Sequence, residues 1–145
     1  MADGKTAFES GARIYIDSNI WVYFIEANPR FVEAVRQVFL AAQAAGARLV
    51  TSEIAIAECL YKPAKDGNAT ALAAYERLFG SGEIEFTPLD GALARRASLH
   101  GGALGLKLID AMHYLSALES GCDVFVTADA QFRSGPQMRV LVVEA

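Results

Sequence analysis

Four carboxylates hold most of the chemical potential of this chain. Asp17 follows the strand-like run Arg13-Ile14-Tyr15-Ile16, and Asp129 follows Cys122-Asp123-Val124-Phe125-Val126-Thr127. Both therefore belong at the carboxyl ends of buried strands, the edge of an open α/β sheet at which ligands bind. Glu58 falls in mid-helix on the stripe of Ile54, Ala55 and Tyr61. Asp110 falls in the first turn of another helix, where the helix dipole favours a carboxylate. Taken singly, each has an ordinary structural explanation as a turn, cap, dipole or half-exposed helix residue. Taken together, they converge on one cleft. At ~5 Å separation and an effective dielectric of ~20, each pair of charges would repel by about 3 kcal/mol. Such a cluster must hold protons, strain the fold or bind a cation, and an all-oxygen donor set suits Mg²⁺ or Mn²⁺ rather than zinc.

The elements that must position these acids alternate along the chain without a dividing linker. Strands are predicted over 13–17, 47–51, 83–87, 122–127 and 139–143. Helices are predicted over 19–26, over 30–45 with Gly46 after its end, from a Thr51 or Ser52 cap to Tyr61, from an Asn68 cap to Phe79, after an Asp90 cap to Gly101-Gly102, and over 107–120. The segment 63–67, which opens on Pro63, reads as a loop. Strands interleaved with helices predict an α/β fold, a three-layer α/β/α sandwich around a mostly parallel five-stranded sheet. One domain spans 1–145, with 1–12 expected as a flexible N-terminal extension.

Composition narrows the function classes. A chain of 145 residues, 53% hydrophobic, can fill a substantial single core. Apolar runs such as Ile20 to Ile25 are far shorter than the roughly 18 residues of a membrane span. The first residues, Met1 to Thr6, lack the basic and apolar regions of a secretory signal, so a cytoplasmic location is expected. Cys59 and Cys122 have no zinc-like spacing and read as reduced core residues. The net charge of −4 argues at first against nucleic acid, yet setting the four acids aside leaves 13 acidic residues against 13 Lys and Arg. The acidity is local, and a divalent cation would reverse it there.

The blocks Asp17-Ser18-Asn19, Thr51-Ser52-Glu53-Ile54-Ala55-Ile56-Ala57-Glu58, Asp110-Ala111-Met112-His113-Tyr114-Leu115-Ser116-Ala117 and Val126-Thr127-Ala128-Asp129-Ala130-Gln131-Phe132 resemble the successive motifs of the PIN-domain family, and within it the VapC-type toxins. The likeness runs from Arg13 to Val143. It implies a Mg²⁺- or Mn²⁺-dependent endoribonuclease, a homodimer held inactive by a small antitoxin protein and acting on RNA by metal-assisted phosphodiester hydrolysis. Asp17, Glu58, Asp110 and Asp129 match the four acidic positions: Asp17, Asp110 and Asp129 are expected to hold the metal and Glu58 to orient water. Asn19 and Thr127 match polar positions beside the site. Lys107 and Arg133 are candidate phosphate clamps, each also readable as a solvated cation. His113 reads as a packed histidine. The apolar residues Trp21, Phe24, Ile25, Phe31, Val35 and Phe39 read mainly as core and in part as a groove for an antitoxin helix. The alternatives are a PIN nuclease of RNA processing without an antitoxin, and a PIN module that binds RNA or protein without cutting.

Overall fold

The structure, a computed structural model, describes residues 6–145. Five strands form one sheet: β1 (Arg13–Ile16), β2 (Arg48–Ser52), β3 (Ile84–Thr87), β4 (Val124–Thr127) and β5 (Arg139–Val142), in the order β3-β2-β1-β4-β5. All four pairings are parallel, so the sheet is wholly rather than mostly parallel. The helices are α1 (Ser18–Ile25), α2 (Val32–Ala44), α3 (Glu53–Lys65), α4 (Ala69–Phe79), α5 (Gly91–His100) and α6 (Leu108–Glu119).

Strand alternation divides the core in two. Ile14, Ile16, Val124 and Val126 point into a cluster with residues of α1, α2, α3 and α4. Tyr15 and Phe125 point to the other face, against Tyr114 and Ala117 of α6. Parallel strands covered on both faces are apolar throughout, which is why all four residues of β4 are buried. The tight fit of α5 onto α6 depends on Gly101, where a Cβ would lie 2.6 Å from that of Ala111.

The third helix departs from the sequence reading. It runs through Pro63 to Lys65 rather than stopping near Tyr61, and Pro63 is buried. A proline loses one backbone donor but not the packing of the turns around it. Here the helix closes one turn later through Asp66 N–H to Lys62 O at 2.9 Å, with a Lys62–Asp66 ion pair and Gly67 at φ +70°. Of the segment expected as a flexible extension, residues 1–5 lie outside the described residues. Beyond them Phe8 packs on the core, Gly11 N–H donates to Ala45 O and Ala12 is buried.

Candidate active site

The sheet order reverses between β1 and β4, and Asp17 and Thr127 stand at the carboxyl ends of those two strands. The crevice at such a switch point is where open α/β sheets receive ligands. Asp17 also caps α1: its Oδ1 accepts the Ser18 N–H at 2.8 Å. Its Oδ2 accepts the Thr127 hydroxyl at 2.7 Å and approaches Asn19 Nδ2 at 3.5 Å. Thr127 Oγ1 in turn accepts the Asp129 N–H at 3.0 Å, and Asn19 Oδ1 accepts that of Ala128 at 3.1 Å. Asn19 and Thr127 thus tie the loop carrying Asp129 to the strand carrying Asp17. Asp129 bends that loop by accepting the Gln131 N–H on Oδ1 at 2.9 Å.

Glu58 reaches the same edge from α3. Its Oε1 accepts the Ser18 hydroxyl at 2.6 Å and lies 2.6 Å from His113 Nε2. His113 is 1% exposed. Its Nδ1 meets the Tyr15 hydroxyl at 2.7 Å, and its Nε2 is 3.8 Å from Asp17 Oδ1. The imidazole is therefore more than packing: it bridges three elements of the site. The i+3 spacing from Asp110 was the only sign of this in the sequence, and it could not reveal a contact with a residue 55 positions away. Ser18 is the other partner that sequence reasoning did not single out by role.

Charge follows from this geometry. Burial raises the Asp17 carboxyl above the ordinary aspartate range, against the opposing pull of His113, Thr127 and the Ser18 N–H. Burial opposes ionisation of Glu58 too, but the His113 and Ser18 hydrogen bonds outweigh it and hold that carboxyl low. Burial disfavours the His113 imidazolium, yet Glu58, Asp17 and Asp110 together raise it. Asp110, half-buried in the first turn of α6, is raised first by burial and next by the charges of Asp17 and Asp129, with a smaller push from Glu58. The charges of Asp17, Asp129 and Glu58 all bear on Asp110.

Does this donor set fit a divalent cation? Its chemistry does, since hard carboxylate oxygens are what Mg²⁺ and Mn²⁺ select, and the mutual charge raising Asp110 is the imbalance a cation would relieve. The arrangement is open, however: among the described residues no three His, Cys, Asp or Glu side chains stand close enough to form an ion-binding group. Both oxygens of Asp17 are already engaged by donors. Ligation by Asp17, Asp110 and Asp129 thus calls for water in part of the shell. Lys107 and Arg133 are both exposed, one directly before α6 and the other in the loop after Asp129. Cys59 and Cys122 are buried and free, and burial pushes the Cys59 thiol up to about 12.

The model of the PIN domain matches residues 14–136 of the chain, a span that holds every residue of this edge. The chain belongs to the PIN-domain family. No curated protein matches it in sequence. This PIN domain is similar in fold to a chain of the VapBC2 complex of Rickettsia felis bound to a promoter DNA fragment, with a TM-score of 0.66 and 17% identity over 91% of this chain and 99% of that one. It is also similar to a chain of a toxin–antitoxin complex from Klebsiella pneumoniae, with a TM-score of 0.65 and 17% identity over 89% and 96%. Among the described residues no helix is long and apolar enough to cross a membrane.

Proposed function

We propose that this PIN domain is a divalent-cation-dependent endoribonuclease and the toxin of a VapC-type toxin–antitoxin pair, a cytoplasmic homodimer silenced by a small protein partner. The observation that carries the nuclease reading is the placement of Asp17 at the β1–β4 switch point, tied through Thr127 to the Asp129 loop and flanked by His113 and Glu58. Asp17, Asp110 and Asp129 hold Mg²⁺ or Mn²⁺. The ion supplies Lewis acidity toward a phosphodiester and water of lowered pKa. Glu58, fixed through Oε1 by Ser18 and His113, keeps Oε2 free of those bonds to orient the attacking water and receive its proton. Thr127 and Asn19 keep Asp17 and the Asp129 loop in register, while Lys107 and Arg133 contact the flanking phosphates of the RNA. The products carry 5′-phosphate and 3′-hydroxyl ends.

The toxin reading rests on kinship of fold with chains of toxin–antitoxin complexes. Much of the apolar surface of α1 and α2 is internal, since Trp21 stacks on Phe39 at 5.5 Å and Tyr23 on Phe31 at 4.4 Å. What remains half-buried at Phe24 and Ile25, with the outer parts of Phe31 and Phe39, is the apolar surface assigned to the antitoxin helix.

The test is cleavage of single-stranded RNA by purified protein with Mg²⁺ or Mn²⁺, loss of cutting in EDTA, and loss in folded Asp17→Asn and Asp129→Asn. Undiminished cleavage in EDTA refutes the nuclease reading. Growth arrest on expression, relieved by a co-expressed small partner, tests the toxin reading separately. Vigorous growth of cells holding soluble, RNA-cutting protein removes the toxin and leaves the nuclease of RNA processing.

A further inference from the structure

A cavity of about 430 Å³ opens beside the acid edge, between the turn that follows α5, the face of α6 and the loop joining β4 to β5. This size falls in the roughly 300–1,000 Å³ range of small-ligand sites. Its floor is aromatic: Tyr114 and Phe132, 8% and 3% exposed, stack with centroids 6.2 Å apart at 24° and leave only a small part of the rings open. Its rim is polar, with the amides of Gln131 and Gln137 and the guanidinium of Arg133. In a chain of net charge −4, Arg133 is the one charged residue lining this cavity among the described residues.

Two walls of the cavity are continuous with the candidate active site. Tyr114 lies one turn beyond Asp110 on α6, and the Gln131 N–H is bonded to Asp129 Oδ1 at 2.9 Å. The Tyr114 ring is buried, 8% exposed, and its hydroxyl faces Gly135, where an added Cβ would sit 3.4 Å away. No described residue hydrogen-bonds that hydroxyl. The ring is buried but the hydroxyl is not among the buried polar atoms without a partner, so it is open to the cavity's solvent. A side chain at position 135 would crowd the space in front of it.

On the nuclease reading above, we propose that this cavity is a nucleobase subsite. With the scissile phosphate at Asp17, Asp110 and Asp129, the base on one side of it enters the cavity and rests against the open part of the Tyr114–Phe132 floor. There it exchanges hydrogen bonds with the Gln131 and Gln137 amides and the Tyr114 hydroxyl. Unpaired bases are read in this way, by stacking on aromatic rings and by hydrogen bonds to their exposed edges. An amide side chain matches a base edge with a donor and an acceptor together. The absence of lining carboxylates lets the anionic backbone pass. The subsite therefore selects the sequence that is cut, while the carboxylates perform the cutting.

The test uses two surface variants outside the carboxylate set: Gln137→Ala, which removes an amide, and Ala103→Trp, which fills the cavity from the exposed turn after α5. Binding of a fluorescein-labelled single-stranded oligoribonucleotide is read by anisotropy, with Ca²⁺ replacing Mg²⁺ to slow hydrolysis. Product ends from random-sequence RNA are mapped with Mg²⁺. Each variant should melt like wild type, bind about tenfold more weakly, and lose the base enrichment that wild type shows at one position beside the cut. Wild-type affinity and wild-type enrichment in both variants overturn the subsite even where cleavage is robust, as does failure of the wild-type protein to bind the RNA. Tight wild-type binding weakened by the variants, with no cleavage by any of the proteins, overturns the nuclease reading and upholds the subsite.

Discussion

The Thr127 hydroxyl donates to Asp17 Oδ2 at 2.7 Å, and Thr127 Oγ1 itself accepts the Asp129 N–H at 3.0 Å. One side chain thereby sets the spacing between the two strand-end acids. Thr127→Val preserves the shape of the residue and removes both bonds within a buried setting. The expected loss is about 1–3 kcal/mol of stability, read by denaturant unfolding, with cleavage reduced at least tenfold. A variant of wild-type stability and activity would mean that the hydroxyl sets nothing.

Asp17 is 5% exposed, and burial makes its charge costly. Asp17→Asn should melt higher than wild type in EDTA, because a buried charge facing other carboxylates is gone and Thr127 can accept from the new amide. A cation that binds only the folded site stabilises by about 2.7 kcal/mol at a hundredfold excess over Kd, several degrees in a domain of this size. Wild type should show that rise with Mg²⁺ and Mn²⁺, Glu58→Gln a smaller one, and Asp17→Asn the least. Equal metal responses in wild type and Asp17→Asn would remove Asp17 from the ligand set.

His113 joins Tyr15 of β1 to Glu58 of α3. His113→Phe leaves a phenol that is 0% exposed and a carboxylate without its strongest partner. A loss of about 2–4 kcal/mol is expected, with Tyr15→Phe costing about 1 kcal/mol. In a double-mutant cycle the two should couple. Additive effects would show that the three groups act independently.

At the opposite end of the sheet, the Arg13 guanidinium reaches past β2 to place two bonds on Glu85 at 3.1 and 2.7 Å. The Arg13 hydrogen bonds, chiefly, hold the Glu85 carboxyl below the usual glutamate value. A depressed acid contributes its stability above the ordinary glutamate pKa of about 4.3 and loses it as pH falls through the lower folded value. Both side chains are about one-third exposed, so the pair contributes roughly 0.5–1 kcal/mol. Wild type should exceed Glu85→Gln by that amount at pH 7, with the gap closing below pH 4. A gap that widens in acid would contradict the assignment.

Most of the fold could be read from local signals. Asn68, Asp90 and the Thr51–Ser52 pair announced three helix starts, and Asn68, Asp90 and Ser52 each accept a backbone N–H there. The apolar runs of β1 and β4 gave both strands, and with them the carboxyl ends at which Asp17 and Asp129 emerge. Pro63 misled because a proline's local cost was weighed without the burial that offsets it. The role of His113 was hidden for a related reason. Its partners lie on β1 and α3, and no spacing within α6 encodes them.

The bond between Asp17 and Thr127 spans 110 positions of sequence. β1 precedes its neighbour β4 by three helix-bearing crossovers and must wait until that later strand has been synthesised. Parallel pairings of such separation form slowly, because a long loop must close before any contact compensates for it. A ribosome-bound or truncated chain ending before Thr127 holds Asp17 without the strand that fixes its geometry. The geometry of the acid edge is therefore complete only in a chain long enough to supply both strands.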